Sequence, residues 1–236
     1  MRRLILILDT LPLLRAATAA DAFDITAAAT VAELSDIDAV RLGVNDDLLP
    51  VSELDVGDAR RASRSFELAM PVSQPLVKVA LEAQPDRVVL GLCGREGGLP
   101  SQPLDLRGRG VSLAPIVRSL ADAGIPVSAL IKPEVDAVKA AHAEGVDGVE
   151  FYTGAIVDLP TADRTRDLVS MGDAARLASK LRMQIAVGGG LGYRGVGEVI
   201  EHAPVVSSIA VGRSVFARAL MVGLERAVRD LRARLR

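Results

Sequence analysis

The sequence contains 236 residues, of which half are apolar and a quarter are charged, and its formal net charge is -2. This composition is typical of a soluble globular protein, and no linker rich in Pro, Gly or Ser divides the chain, so we expect one domain over residues 1–236. The arginines are scattered and form no basic stripe, which argues against a nucleic-acid partner. The single cysteine excludes an internal disulfide framework.

The N-terminus combines two arginines with a short apolar run that ends at Asp9. A signal peptide is a poor interpretation of this segment, because no convincing cleavage motif of small residues follows it. No apolar stretch elsewhere reaches the roughly 18 residues that span a bilayer. We therefore expect a cytoplasmic protein without a membrane partner.

Short apolar runs rich in β-branched residues recur along the chain, with alanine-rich helical segments between them. This pattern is typical of parallel strands that are buried on both faces. Eight such runs predict strands at 4–8, 39–44, 65–69, 87–92, 127–131, 146–152, 184–187 and 207–211.

Helices are predicted where apolar residues recur at spacings of three and four. The clearest is one long final helix from Val215, whose apolar face includes Leu220 and Met221 and whose charged face includes Arg232. We expect the apolar face to pack and the charged face to meet water. Other helices are predicted at 72–83, 113–123, 134–143 and 173–181.

Eight repeated βα units favour a single (β/α)8 TIM barrel, because right-handed crossovers between eight parallel strands close naturally. An open Rossmann-like or flavodoxin-like sheet is the alternative. The first predicted strand lacks the G-x-G-x-x-G turn of a dinucleotide-binding fold, which disfavours that alternative.

Active sites of such barrels lie at the carboxyl ends of the strands. Two glycine turns there give the sharpest signal: Gly188, Gly189 and Gly190 follow the seventh strand, and Gly212 with Arg213 follows the eighth. Backbone N–H groups of such turns, with the N-terminus of the following helix, bind phosphate. A plain strand-to-helix connection is the alternative for the first turn, but the adjacent pair favours a phosphate site and a phosphorylated small-molecule ligand.

Two charged residues near the strand ends are candidates for catalysis. Glu67 lies in an otherwise apolar strand, where desolvation would suit its carboxylate to general-base work. A structural ion pair with Lys132 or Arg41 is the alternative. Lys132 follows the fifth strand and is either a Schiff-base nucleophile or a solvated residue at the strand end.

Other polar residues at the strand ends are expected to contact the substrate. The two histidines, in contrast, fall in predicted helices away from these ends and are expected to be packing or surface residues. No set of His, Asp and Glu has the spacing of metal ligands, so we expect neither a metal nor a cofactor. The expected substrate contacts are Asp9, Thr10, Asn45 and Thr153.

Residues 94–110, which read GREGGLPSQPLDLRGRG, are too long and glycine-rich for a minimal βα connection. They follow the fourth strand at the active-site end, where long loops often serve as lids. We expect either a mobile lid or an ordinary irregular loop.

Five segments carry a family resemblance. IAVGGGLGY and IAVGRSVFARALMVGLERAV are similar to the motifs VNAGHGLNY and LNIGHSLVGRAVFVGLERAV. VEFYTG, AGIPVSALIKPE and SFELAM are similar to IELHTG, AGIRVSLFIDPD and NLEMA. Along nearly its whole length, the chain resembles the pyridoxine 5'-phosphate synthase family.

The resemblance implies a barrel that usually assembles as an octamer and builds the pyridoxine ring from 1-deoxyxylulose 5-phosphate and aminoacetone phosphate. It also implies roles for particular residues. Glu67 matches the catalytic glutamate, and Asp9 matches the aspartate of the first strand. Gly190 and Gly212 match the backbone contacts to the phosphate of aminoacetone phosphate.

Several positions depart from the family pattern, and they bear on catalysis. Gly189 replaces the histidine that serves as proton donor, and Gly43 replaces a histidine that accepts a proton. A positioned acid or base contributes about 10² to 10⁴-fold in rate, so both losses matter. The remaining departures are Thr10, Pro50 and Arg213 for histidines, Asn45 and Thr18 for arginines, and Ile7 for an asparagine.

Three functions remain open at this point. The first is a pyridoxine 5'-phosphate synthase-like enzyme of vitamin B6 biosynthesis. The second is a catalytically impaired barrel that binds a phosphorylated metabolite or B6 vitamer as a carrier, sensor or assembly partner. The third is a lysine-dependent aldolase that uses Lys132.

Overall fold

Eight parallel strands form a closed barrel at the centre of the protein, which confirms the predicted (β/α)8 fold. The computed structural model describes residues 2–18, 20, 23–94, 98–107, 112–157 and 161–235. The barrel strands are β1 Arg3–Ile7, β2 Ala39–Gly43, β3 Phe66–Met70, β4 Arg87–Leu90, β7 Val127–Ile131, β8 Gly148–Tyr152, β9 Gln184–Gly188 and β10 Ser208–Val211. Around the barrel their order is β1, β10, β9, β8, β7, β4, β3 and β2, and β2 closes on β1.

Helices surround the barrel and cover the outer faces of its strands. Outward-facing residues such as Leu6, Leu42 and Leu68 belong to the main apolar core that strands and helices share. The helices are α1 Thr10–Thr18, α2 Ile25–Leu34, α3 Glu53–Ala62, α4 Gln74–Ala83, α5 Ala114–Asp122, α6 Val135–Ala143, α7 Gly154–Val157, α8 Thr161–Lys180, α9 Val196–His202, α10 Arg213–Val222 and α11 Leu224–Arg232.

Alternation along each strand decides what the barrel interior contains, because successive side chains point to opposite faces. In β2, Val40 and Leu42 join the outer core, whereas Arg41 between them faces the interior. The register places Arg41 beside Glu67 on β3, and Glu67 beside Arg87 on β4. A layer of charged residues therefore lies inside the barrel.

A short antiparallel hairpin, β5 Leu92–Cys93 with β6 Pro100–Gln102, follows β4 at the carboxyl end of the barrel. The predicted fourth strand was extended to Leu92, but the barrel strand ends at Leu90 and Leu92 belongs to the hairpin. Beyond the hairpin, Leu104 forms a parallel bridge with Ile131 at the end of β7. Residues 98–107 are thereby attached to the barrel mouth.

The prediction of one long C-terminal helix was wrong, because the chain breaks at Gly223 into α10 and α11. Gly223 has a φ of 83°, which ends the first helix and starts the second in a new direction. Leu220 and Met221, expected to pack, are 72% and 83% exposed. Arg232, expected to meet water, is buried and donates to the backbone oxygens of Asp36 and Arg2.

None of the helices in the described ranges is long and apolar enough to cross a membrane.

Candidate active site

A cavity of about 590 Å³ opens at the carboxyl ends of the barrel strands. This is the end of a TIM barrel at which active sites form. Strand ends, the α10 N-terminus, α1 and the hairpin all contribute to its wall. The lining residues are Ile7, Asp9, Thr10, Leu13, Arg41, Ala69, Val89, Gly91, Gly98, Leu99, Pro100, Ser101, Leu130, Glu150, Gly189, Gly190, Leu191, Ala210, Val211, Gly212, Arg213, Ser214 and Ala217.

Two turns on neighbouring strands form one side of this cavity, which we call the glycine cradle. It comprises Gly189 and Gly190 after β9, and Gly212, Arg213 and Ser214 after β10. Helix α10 begins at Arg213, and no side chain caps its N-terminus. The Val215 N–H donates to the Gly212 backbone oxygen at 2.9 Å, whereas the N–H groups of Arg213 and Ser214 precede the first hydrogen bond of the helix. The start of the helix therefore presents hydrogen-bond donors to the cavity.

The backbone of the first turn requires glycine. Gly189 and Gly190 have φ angles of 70° and 102°, which residues with a Cβ rarely adopt. A Cβ on Gly189 would overlap the ring of Tyr152, and a Cβ on Gly190 would lie 2.8 Å from the Cα of Gly154. Close packing against β8 and α7 therefore fixes the course of this turn.

A buried ion-pair cluster forms the floor of the cavity, and we call it the arginine triad. Arg41 on β2 donates from Nη2 to Glu67 Oε2 on β3 at 2.7 Å and to Glu150 Oε2 on β8 at 2.6 Å. Its Nη1 also donates to Glu150 Oε1 at 3.0 Å, and its Nε donates to Glu67 Oε2 at 3.1 Å. All three residues are at most 3% exposed, so the triad spans the barrel interior away from bulk water.

The opposite charges of the triad stabilise one another. Burial by itself would lower the pKa of Arg41, but the charges of Glu150 and Glu67 hold this pKa above its ordinary value. Below the triad, Arg87 donates to Ser128 Oγ and Gln184 Oε1, both at 2.8 Å. Hydrogen bonds therefore satisfy this polar interior, as buried charges require.

Asp9 is a carboxylate in a different situation. It follows β1, lines the cavity and accepts a hydrogen bond at Oδ1 from the Gly43 N–H at 2.7 Å. Among the described residues no lysine or arginine forms an ion pair with it. Burial raises the pKa of Asp9 to about 6, against the opposing effects of the Gly43 N–H and the charge of Arg41. Its carboxyl group can therefore exchange a proton near neutral pH.

Comparison with known proteins decides the family. The family described as "Pyridoxal phosphate biosynthesis protein PdxJ" matches residues 4–236. The chain belongs to the PdxJ family. A protein of Synechocystis named pyridoxine 5'-phosphate synthase is 35% identical over 211 residues, which cover 89% of this chain and 87% of the relative. A protein of the same name from Desulforapulum autotrophicum is 31% identical and covers 100% of this chain and 99% of its own.

Solved structures outside the PdxJ family share the fold. Thiamine phosphate pyrophosphorylase from Pyrococcus furiosus superposes with a TM-score of 0.60 at 16% identity and covers 99% of this chain and 95% of its own. A 4-hydroxy-2-oxoglutarate aldolase superposes with a TM-score of 0.61 at 15% identity, covering 99% and 94%. At such low identity these similarities concern the fold alone.

The structure brings together six of the residues predicted for the PdxJ-family site. Five others lie outside the cavity lining. Glu67 lies beneath the cavity in the arginine triad, where it pairs with Arg41. This matches the alternative prediction of a structural ion pair. The residues that line the cavity are Asp9, Thr10, Gly189, Gly190, Gly212 and Arg213.

The remaining four support the site from outside or lie away from it. Gly188, predicted to belong to the glycine turn, is instead the last residue of β9 and does not line the cavity. Asn45 is buried and exchanges two hydrogen bonds with the backbone of Leu49. Thr153 is buried and donates from both its N–H and its hydroxyl to the backbone oxygen of Gly188, which holds β8 to the end of β9. Lys132 is exposed at the end of β7 and does not reach the cavity.

Several polar cavity residues were missing from the predicted site, and three of them belong to the triad or the glycine cradle. Arg41, Glu150 and Ser214 all line the cavity. The sequence carried a signal for the first two, because each sits between outward-facing apolar neighbours in a buried strand and so points into the barrel. Ser214 follows Arg213 directly, and its hydroxyl donates to the Leu191 backbone oxygen at 3.1 Å, which ties the two cradle turns together.

The histidines and the predicted lid complete the comparison. His142 is exposed on α6 and His202 ends α9, and neither lines the cavity. Within residues 94–110, Gly98 to Ser101 line the cavity through the hairpin. Residues 95–97 and 108–111 lie outside the described ranges, so lid motion stays a prediction. Across the described parts of the chain, no three His, Cys, Asp or Glu side chains form a metal-binding group.

Proposed function

We propose that this PdxJ-family protein is a pyridoxine 5'-phosphate synthase-like enzyme that binds a phosphorylated small metabolite with its phosphate in the glycine cradle. One observation carries the proposal: two glycine turns and an uncapped helix N-terminus meet on one side of a single cavity. Phosphate matches this arrangement, because unpartnered N–H groups and the positive end of the helix dipole favour an anion. Arg213 adds a full positive charge at the same place.

Asp9 is the residue we assign to proton transfer. Its carboxylate would take a proton from a carbon next to a substrate carbonyl. The C–H electron pair would form a C=C bond while the π pair of the C=O bond moves onto the oxygen, and return of the proton to that carbon would reverse the step. Strand β1 pairs with β10, so Asp9 follows the strand next to the one that leads into Gly212. A pKa of about 6 suits a group that must gain and lose a proton near neutral pH.

Glu67 has a positioning role in this proposal. Its Oε2 accepts two hydrogen bonds from Arg41, and the side chain lies below the cavity. Lys132 lies outside the cavity, so the geometry offers no support for the lysine-dependent aldolase.

A second candidate is a barrel that binds a phosphorylated metabolite or B6 vitamer without turnover. The observation that favours it is the loss of side chains at Gly43 and Gly189, which leaves the cavity without an imidazole. The family resemblance also supports a cytoplasmic homo-oligomer, and sedimentation of the purified protein would test the oligomeric state.

The first experiment measures thermal unfolding with inorganic phosphate, aminoacetone phosphate, 1-deoxyxylulose 5-phosphate and pyridoxine 5'-phosphate. A ligand at about 100 times its Kd adds about 2.7 kcal/mol, which raises Tm by several degrees at about 2 to 4 °C per kcal/mol. Arg213→Ala should weaken phosphate-ester binding about tenfold. Arg118→Ala, which removes an exposed arginine of α5, is the matched control.

The two candidates separate in a turnover assay with the two family substrates at high enzyme concentration. If the protein is an enzyme, product should form. Asp9→Asn should then lower the rate about 10² to 10⁴-fold while phosphate binding persists. Binding without product would favour the second candidate. An absence of any stabilisation by phosphate esters would contradict both.

A further inference from the structure

The charges around the cavity are distributed unevenly. Among the described residues that line it, the lysine and arginine side chains are Arg41 and Arg213. Arg41 is fully engaged with two glutamates. Arg213 is exposed, belongs to the glycine cradle and has no ion-pair partner in the described ranges. Within the described part of the cavity wall, the unpaired positive charge therefore lies on the cradle side.

The opposite side of the cavity is apolar. Strands β3 and β4 lie across the barrel from β9 and β10, which lead into the glycine cradle. There Ala69, Val89 and Leu130 form one apolar cluster, against which the ring of Tyr152 packs. We call the three together with Leu99 and Pro100 of the hairpin segment the apolar pole.

The apolar pole is enclosed from both sides. Its strand residues Val89 and Leu130 are 2% and 4% exposed, and Leu99 from the hairpin segment is 7% exposed. A Cβ at Gly43 would lie 3.1 Å from Pro100 Cδ and 3.4 Å from Leu99 Cβ, so the hairpin segment lies tightly over the end of β2. The same Cβ would lie 3.0 Å from Asp9 Oδ2, so the Asp9 carboxylate borders the apolar pole at this point. The hairpin segment thus roofs a pocket whose floor comes from the barrel strands.

We propose that the apolar pole binds the uncharged, apolar body of a phosphate monoester whose single phosphate occupies the glycine cradle. The inference rests on the proposed function, because the cradle sets which end of the ligand is anionic. A ring or branched carbon chain at the pole would exclude water from apolar surface, which is favourable in proportion to the area buried. A second phosphate there would lose its hydration without gaining a cation from the described lining residues, which is costly.

The substrate class follows from this polarity. The cavity selects molecules with one charged end and one apolar end, and it disfavours those with a phosphate at each end. Val89, Leu130 and Leu99 are then specificity-determining residues, since they contact the end of the ligand that distinguishes one monoester from another.

Isothermal titration calorimetry on the full chain tests this with four probes: methyl phosphate, benzyl phosphate, benzyl alcohol and 1,5-pentanediol bisphosphate. Benzyl phosphate should bind at least about tenfold more tightly than methyl phosphate, a difference of about 1.4 kcal/mol. The bisphosphate should bind no more tightly than methyl phosphate. A bisphosphate that binds most tightly of the four would overturn the proposal.

A pair of hairpin-segment variants locates the effect. Leu99→Ser should reduce the preference for benzyl over methyl phosphate at least threefold and leave the affinity for methyl phosphate unchanged. Leu92→Ser alters the same residue type in strand β5 of the hairpin, outside the cavity lining, and should change neither affinity. Equal effects of both variants would contradict the assignment, and the four-probe comparison on the unaltered chain stands even if Leu99→Ser folds poorly.

The same data separate this inference from the proposed function. If methyl and benzyl phosphate bind equally and Arg213→Ala weakens both, the phosphate site in the glycine cradle is supported and the role of the apolar pole is contradicted. If benzyl alcohol binds as tightly as benzyl phosphate and Arg213→Ala has no effect, the pole stands as an apolar pocket and the phosphate site fails, which overturns the monoester proposal. If none of the probes binds, both are wrong.

Discussion

Carboxylates in and beneath the cavity occur in two electrostatic situations. Glu67 and Glu150 share the guanidinium of Arg41, at 2.7 and 2.6 Å. Asp9 lies near them with one backbone N–H as its donor. A carboxylate that binds a cation is stabilised in its charged form, whereas burial without a cation favours the protonated form. Asp9, which forms no ion pair among the described residues, is the carboxyl group whose pKa burial raises to about 6.

Removing the cation of the arginine triad should have the largest effect on stability. Arg41→Met leaves two buried carboxylates without a counter-charge, and we expect a loss of about 3 to 5 kcal/mol in the free energy of unfolding. Urea denaturation at pH 7 measures it. The triple variant Arg41→Met, Glu67→Gln, Glu150→Gln should recover much of the loss. A loss below about 1 kcal/mol in the single variant would show that the triad is not a linked charge cluster.

Neutralising Asp9 should stabilise the folded protein at neutral pH, whereas Arg41→Met should destabilise it. Its pKa rises from an ordinary 3.8 to about 6 on folding, so the folded chain binds more protons and stability falls as pH rises between these values. A shift of this size implies about 3 kcal/mol, and access from the cavity reduces it. We expect Asp9→Asn to raise Tm at pH 8 and to have little effect at pH 4.

Thermal unfolding between pH 4 and pH 8 measures this difference. Asp47→Asn, which alters an exposed aspartate after β2, is the control and should leave the pH profile unchanged. A stabilisation by Asp9→Asn that is the same at both pH values would mean that the carboxyl group does not titrate in this range.

Removing an exposed ion pair should have the smallest effect on the free energy of unfolding. It shows what the loss of an arginine costs when no buried charge is involved. Arg61 pairs with Asp58 within α3, and its side chain is 69% exposed. Arg61→Met should change the free energy of unfolding by less than about 0.5 kcal/mol, because solvent screens such pairs. The same urea denaturation measures it. A loss close to that of Arg41→Met would attribute both effects to the removal of an arginine and not to burial.

Much of the fold could be predicted from the sequence. The eight strands lie within a few residues of their predicted bounds, because an apolar run of β-branched residues marks a strand buried on both faces wherever it occurs. The glycine cradle was also predictable, since its turns lie directly after two strands and barrel closure places adjacent strand ends together. These features depend on the local sequence pattern and on the closure of eight parallel strands into a barrel.

The C-terminal helix shows where local pattern fails. The spacing of apolar residues continues across Gly223, so the sequence predicts one helix, yet a positive φ at that glycine redirects the chain. Residues on one predicted face then divide between core and solvent. The periodicity describes each half correctly, and only the packed structure fixes the angle between them.

What the sequence by itself determined is the barrel and the position of the two glycine turns at the carboxyl ends of its strands. Only the tertiary structure decided which charges are paired. Arg41 and Glu150 are 109 residues apart, and they meet because both point into a closed barrel. Glu67 forms an ion pair with Arg41, whereas Asp9 forms none among the described residues, and no local pattern distinguishes the two carboxylates. The physical reason is that electrostatic partners are chosen by distance in the folded chain, while secondary structure follows from neighbours in sequence.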